Sequence, residues 1–422
     1  MTFQRLLPFL SLFIITTLLT ACGSESQQQE EEAAILPAEG MWRGVLKTEP
    51  ETIPFQFTLT KATGSTYKVE LVNGEERIET EATLTPGDSL IIPMHIFDTS
   101  LEAVLTGEGH MEGIFVKNYL DNYEIAFEAE AGVDERFVRQ TDPSGMPQGK
   151  YAVTFTEENG ETYEAVGVFE STGDELSGTF LTTTGDYRYL QGTMAGDKLL
   201  LSAFDGEHAF LFTGKVSGDS LTDGHFYSGR HYHATWTGAK DAEASLPEPE
   251  SLTYLKEGYD QIAFTFPDLQ GDMVTLEDQR FDNKVVILQL FGTWCPNCMD
   301  ETKYLAEWYT ENQDRGVEIL GLAYEKKADF EYAKNRVKKM TQRMDVPYDF
   351  VIAGTSDKKE AAKTLPMLNH VMSFPTTIFI DRQGRVRRIH TGFSGPGTGE
   401  YFERWKEDFN RFMDKLIAEE KS

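Results

Sequence analysis

The chain has 422 residues, 40 % of them hydrophobic and 26 % charged, and a formal net charge of −30. That length suffices for two or three domains with cores of their own. The acidity argues against nucleic-acid binding, since no basic face is available to neutralise phosphates; otherwise it reads as a solvated surface. The three cysteines, Cys22, Cys295 and Cys298, are too few for a disulfide scaffold, so each needs its own account.

Residues 1–21 open with a single cation, Arg5, followed by an apolar run from Leu6 to Leu19 and small residues. This reads as a secretory signal, too short to span a membrane once Pro8 is counted. Its end, Leu19-Thr20-Ala21-Cys22, resembles the bacterial lipoprotein lipobox. The resemblance implies cleavage before Cys22 and lipid on its sulfur. Several acyl chains, at about 0.8 kcal/mol per buried CH₂, would make a stable anchor. Residues 22–39 continue as GSESQQQEEEAA after the cysteine and have little to bury, so a disordered tether is expected. The mature protein is then expected in the bacterial cell envelope, outside the cytoplasm, anchored by lipid rather than by a helix. Gly23 is not the aspartate that retains some lipoproteins at the inner membrane, which favours the outer membrane.

Residues 40–240 are rich in alternating runs such as IPFQFTLT, STYKVELV and HAFLFTG, broken by VNGE, TPGD and AGDK turns. The region is also internally similar. Thr63-Gly64 and Gly87-Asp88-Ser89-Leu90 match Thr172-Gly173 and Gly196-Asp197-Lys198-Leu199 at one offset. Phe97-Asp98 and Thr106-Gly107 match Phe204-Asp205 and Thr213-Gly214, two residues closer. A duplicated all-β region follows, with repeats at 40–133 and 146–240. Roughly eight short strands per copy suit two up-and-down antiparallel barrels or flattened sandwiches, with one merged sheet as the alternative. The aromatic residues Phe204, Phe210 and Phe212 are assigned to the core. His225, His231 and His233 lie close in sequence; His231 and His233 would share a strand face, where surface histidines are commoner than a metal site.

Residues 241–252, within KDAEASLPEPESL, read as a charged linker. From 253 to 422 the pattern changes. KVVILQLF is a continuous apolar strand, and helical patterns at DETKYLAEWYTEN, DFEYAKNRVKKMTQRM and EYFERWKEDFNRFMDKLIAEE alternate with strands at VEILGLAY, YDFVIA, TTIFID and VRRIHTGF. Alternating β and α elements predict an α/β domain with a central sheet.

Cys295 follows the apolar strand and precedes a helix that begins at the Cys-Pro-Asn-Cys turn. Pro296 suits the first helical turn, where its missing N–H costs nothing. A thiolate at a helix N-terminus is stabilised by the dipole and by free amides, so its pKa should fall below the usual value of about 8.5. Cys298, one helical turn on, can close the ring: the first thiol attacks a substrate disulfide and the second resolves the mixed disulfide.

At this point the last 165 or so residues, from Tyr259, resemble the thioredoxin fold, in particular the TlpA/ResA-like extracytoplasmic thiol–disulfide oxidoreductases. FTFPDLQGDMVTLEDQRFDNKVVILQLFGTWCPNC resembles the family's lead-in hairpin, strand and Trp-Cys-x-x-Cys motif, and SFPTTIFIDRQGRV its second landmark. The resemblance implies that Pro375 is cis and faces the cysteines, and that a substrate strand pairs beside Phe374. Trp294, Pro296, Asn297, Phe374, Pro375 and Thr376 would form the substrate groove. Gln289 stands where thioredoxin carries a buried aspartate, and it cannot titrate. The resemblance places an acid at the end of the next strand, so Glu325 is expected to exchange protons with Cys298. Glu301 resembles an acid of that family, but a charge favoured at a helix N-terminus accounts for both Asp300 and Glu301.

A zinc site needs four ligands and this motif offers two, so no metal is expected. A peroxiredoxin would carry Pro and Thr where this chain has Leu288 and Gly292. The expected function is a lipid-anchored antioxidant-type oxidoreductase that reduces disulfides of secreted or envelope proteins, apocytochromes c among them by family resemblance. It would need no nucleotide or metal cofactor and would be re-reduced by a membrane thiol donor. The alternatives are a binding or sensor lipoprotein whose β region captures a ligand or partner, and a thiol peroxidase.

Overall fold

The computed structural model describes residues 35–94 and 96–419. The signal segment and Cys22 lie outside the described residues. Ile35 to Ala38, expected to belong to a disordered tether, instead run along the first β unit. The Ile35 amide donates to Asp88 at 2.9 Å, the Ala38 amide donates to the Glu108 carbonyl at 2.7 Å, and Pro37 is buried. Apolar Ile35 and Pro37 give this stretch something to bury, unlike the Gln and Glu run before it.

The first unit is a closed barrel of eight antiparallel strands from Gly40 to Ala131. Strand Gly40–Leu46 closes it against Glu124–Ala131, with Trp42 opposite Ala131. The sequence EIAFEAEA alternates exposed and buried along that last strand, as a strand with one face in a core must. Trp42, Phe55, Phe57, Phe115 and Phe127 fill the interior.

The second unit closes in the same way between Gly149 and Lys240. Strand Thr162–Thr172 pairs with Gly149–Glu157 on one side and Glu175–Thr182 on the other, and Gly149–Glu157 pairs with Tyr232–Lys240. A two-residue strand, Gly185–Asp186, is added outside the eight, beside Leu181 and Thr182. Phe155, Phe169, Phe180, Phe212 and Trp236 fill this barrel. Phe204 leaves it and enters the core of the first, 4.8 Å from Phe55 and 5.1 Å from Phe115 between ring centres. The Asn73 side chain accepts from the Phe204 amide and donates to its carbonyl, so the two barrels share a hydrogen-bonded seam.

The linker is held down rather than free. Ala244 packs with Val166 and Leu181, and Glu250 lies 3.1 Å from His390.

The α/β domain has a five-stranded sheet in the order Asp349–Thr355, Val317–Glu325, Val285–Phe291, Thr376–Ile380, Val386–Thr391. The central strand VVILQLF is buried at every position, which is why its apolar run is unbroken. Helices α1 (Pro296–Asn312), α2 (Phe330–Met344), α3 (Lys358–Thr364) and α4 (Glu400–Ala418) accompany the sheet. Asp329 and Asp357 cap α2 and α3 by accepting from amides one turn in. Among the described residues no helix is long and apolar enough to cross a membrane.

Candidate active site

The buried strand Val285–Phe291 delivers the chain to the N-terminus of α1. Cys295 is the N-cap of that helix, Pro296 occupies its first position, and the Cys298 amide donates to Cys295 Sγ at 3.2 Å. Helix N-termini leave such amides free, so here one of them is spent on sulfur. The two cysteines form a disulfide with 5.2 Å between their Cα atoms. Their exposure differs: Cys298 is fully buried, whereas Cys295 retains 5 % and lines a cleft. Cys295 thus faces the cleft, and Cys298 is sealed behind it.

The Phe374–Pro375 bond is cis, and Cys295 Sγ lies 3.4 Å from the Phe374 carbonyl oxygen. Trp294 stands edge-on to Phe374, 5.8 Å away, with its indole N–H donating to the Tyr324 carbonyl at 2.8 Å. The Lys326 ammonium sits 3.8 Å above the Trp294 ring, and burial lowers its pKa. Trp294, Pro296, Asn297 and Phe374 line the cleft. Thr376 does not: it is fully buried, its hydroxyl donating to the Ser373 carbonyl, and Pro375 is buried beside it. The strand Thr376–Ile380 is buried at every position, so Thr376 has no open face to offer a groove.

Two carboxylates lie beneath the surface of the site. Glu325 is 1 % exposed and accepts from the amide and hydroxyl of Thr293, at 2.8 and 2.9 Å. Burial raises its pKa against those two hydrogen bonds. Glu301, read from sequence as a helix-terminal charge, is also fully buried. It accepts from Gln289 Nε2 at 2.8 Å and from the Thr377 hydroxyl at 2.7 Å, and burial raises its pKa too. The signal was present: Cys298, Glu301, Thr302 and Leu305 follow the i, i+3, i+4, i+7 rule for one helix face, and all four are fully buried. Gln289 ties this face to the sheet, also accepting from the Thr302 hydroxyl at 3.1 Å. Asp300 lies off that face, largely buried in an ion pair with Arg188 of the second barrel.

His231 lies in a turn and shares no strand face with His233. The pair that meets is His225 and His233, 3.1 Å apart across neighbouring strands. Among the described residues no group of three or more His, Cys, Asp or Glu could hold a metal ion.

Comparison with known proteins places this geometry. The sequence pattern of the AhpC/TSA family matches residues 258–389. The ResA thiol–disulfide oxidoreductase of Geobacillus thermodenitrificans is 33 % identical over 129 residues, covering 31 % of this chain and 66 % of that protein. The ResA protein of Bacillus thuringiensis subsp. konkukian is 30 % identical over 154 residues, covering 36 % of this chain and 74 % of that protein. The crystal structure of a thioredoxin-family thiol:disulfide interchange protein from Chlorobium tepidum aligns at 20 % identity over 39 % of this chain and 99 % of that one, with a TM-score of 0.30. Through its α/β domain and its Cys295–Cys298 couple, the chain belongs to the ResA family and is a thiol–disulfide oxidoreductase of the ResA/TlpA type.

Proposed function

We propose that the protein works as a reductase of protein disulfides outside the cytoplasm, held to a membrane by lipid on Cys22. Its substrates are oxidised cysteines of secreted or envelope proteins, apocytochromes c among them, and a membrane thiol donor restores the dithiol. The observation that carries this reading is the placement of Cys295: capped by the Cys298 amide, open to a cleft, with its partner sealed behind it. In the reduced state the Cys295 thiolate attacks one sulfur of the substrate disulfide and expels the other. Cys298, deprotonated as it reacts, then attacks Cys295 Sγ and releases the second substrate thiol. Two electrons pass to the substrate, and the enzyme is left with the disulfide seen here.

The protons travel through the buried carboxylates. Glu325 holds Thr293, two residues before the nucleophile, and Glu301 lies one helical turn beyond Cys298 on the same face. A carboxyl with a raised pKa can give and take protons near neutrality.

The test is substitution of each cysteine. Cys295→Ser should abolish turnover of an oxidised protein substrate. Cys298→Ser should accumulate a mixed disulfide on Cys295, read by mass under non-reducing conditions. Turnover retained in Cys295→Ser would remove the assignment.

A further inference from the structure

The α/β domain supplies only one wall of the cleft over Cys295. The other comes from the second barrel. Its segment from Thr182 to Arg188 forms a lip that lies against the residues flanking the disulfide. The Ser373 hydroxyl donates to the Thr184 carbonyl at 2.7 Å, Asn297 Nδ2 donates to the Asp186 carbonyl at 3.1 Å, and the Gly395 amide donates to Asp186 Oδ2 at 2.8 Å. Gly185 is needed there, because a Cβ on it would meet Asn297 Nδ2 at 2.6 Å and its φ is +143°. Behind the lip the barrel mouth is aromatic. Tyr187 stands edge-on to Phe210 at 5.4 Å and to Phe226 at 4.8 Å, and Phe226 in turn to Tyr232 at 5.4 Å. These rings, with Trp294 and Phe374 opposite, enclose a cleft of about 450 Å³ that opens on Cys295.

That size suits a short segment of chain. It falls in the range of roughly 300–1,000 Å³ that takes a small ligand or a short chain segment. The lip is also held in place. Arg188, at its end, is buried and forms ion pairs with Asp300 on α1 and with Glu76 of the first barrel.

We propose that the second barrel is the specificity half of the active site, and that it selects an extended, disulfide-bonded segment with an aromatic side chain next to the substrate cysteine. The aromatic side chain enters the mouth between Tyr187, Phe210 and Tyr232 while the neighbouring sulfur faces Cys295. Edge-to-face packing on rings of this geometry favours an aromatic over a small polar residue. This rests on the reductase reading above. The chemistry is unchanged: one substrate S–S bond breaks, one enzyme S–S bond forms, and two substrate thiols leave with the two electrons.

The experiment uses the full chain, reduced and freed of reductant, in single turnover. Two symmetric peptide disulfides are compared, identical except for phenylalanine or serine before the cysteine. The released peptide thiol is trapped and measured against time. The wild-type rate constant should be roughly tenfold higher for the phenylalanine peptide. That ratio should fall to within about twofold in Phe210→Ala and in Tyr232→Ala. Tyr232 is 36 % exposed, so its variant keeps the test alive should Phe210→Ala fail to fold. Equal wild-type rates, or a ratio unchanged in a folded variant, would overturn the proposal. No reaction with either peptide, with both thiols shown free by titration, would remove the reductase reading and this inference with it.

Discussion

Cys295 and Cys298 are three residues apart in sequence, yet one faces a cleft and the other the protein interior. The residues around them carry the same division. Glu301 and Glu325 are interior groups whose burial raises their pKa. Each therefore holds its proton to higher pH in the folded chain than in the unfolded one. The stability this represents is present in full below the ordinary carboxyl value and is lost as pH rises through the raised folded value. Replacing either by Gln removes that loss. Urea unfolding at pH 5 and pH 8 should show Glu301→Gln and Glu325→Gln gaining on the wild type at the higher pH, and the alkaline or acid limb of the turnover profile should move with them. A stability difference independent of pH, with an unmoved profile, would make both carboxylates incidental. Trp294, Cys295, Asn297 and Phe374 meet at one cleft; a motif at the end of a buried strand fixes where the first three stand, while Phe374 was legible only through the family resemblance. Thr376, expected in the groove, and Glu301, read as a helix-terminal charge with a likeness to a family acid, are both fully buried. Which face of a strand or helix turns inward depends on packing partners distant in the chain, although the spacing from Cys298 to Leu305 carried the answer for Glu301.

At the scale of elements, alternation and turn residues gave both sets of barrel strands, and the unbroken VVILQLF run gave the central strand of the α/β sheet. Closure was left open between barrel and sandwich because it depends on pairs far apart in the chain, such as Trp42 with Ala131. The turn at Gly229–His231 moved the histidine pairing from the expected strand face to a cross-strand contact. Closing a small barrel also brings backbones together where only glycine fits. A Cβ at Gly192 would lie 1.9 Å from the Leu200 carbonyl oxygen, a backbone atom that cannot step aside. Gly192→Ala should cost about 1–3 kcal/mol by overpacking. Thermal unfolding of the purified chain reads this directly, and an unchanged midpoint would show that the strand can shift to make room.

Across the whole molecule, one side chain joins all three folded parts. Arg188 of the second barrel pairs with Glu76 of the first and with Asp300 at the start of α1, and lies 3.9 Å from Asp205. Burial opposes its charge, but these carboxylates outweigh it and hold Arg188 firmly protonated; burial in turn pushes Asp300 up to about 7. Arg188 is separated by 112 residues from both Glu76 and Asp300, a distance no sequence pattern bridges. Arg188→Met would leave buried carboxylates without their cation and should cost about 3–5 kcal/mol. It should also loosen the lip over Cys295, seen as faster proteolysis around Thr182–Tyr189. A variant as stable and as resistant as the wild type would mean that the seam at Asn73 and Phe204 suffices.

The direction of electron flow is the centre of this account, and the reduction potential of the Cys295–Cys298 couple tests it most directly. The full chain would be equilibrated in glutathione or dithiothreitol buffers and its thiols trapped. A value near or below about −220 mV, with thioredoxin and the glutaredoxins, is the predicted result for a reductase. A value near about −120 mV, like that of the strong periplasmic oxidant, would mean that the couple donates disulfides and would contradict the account.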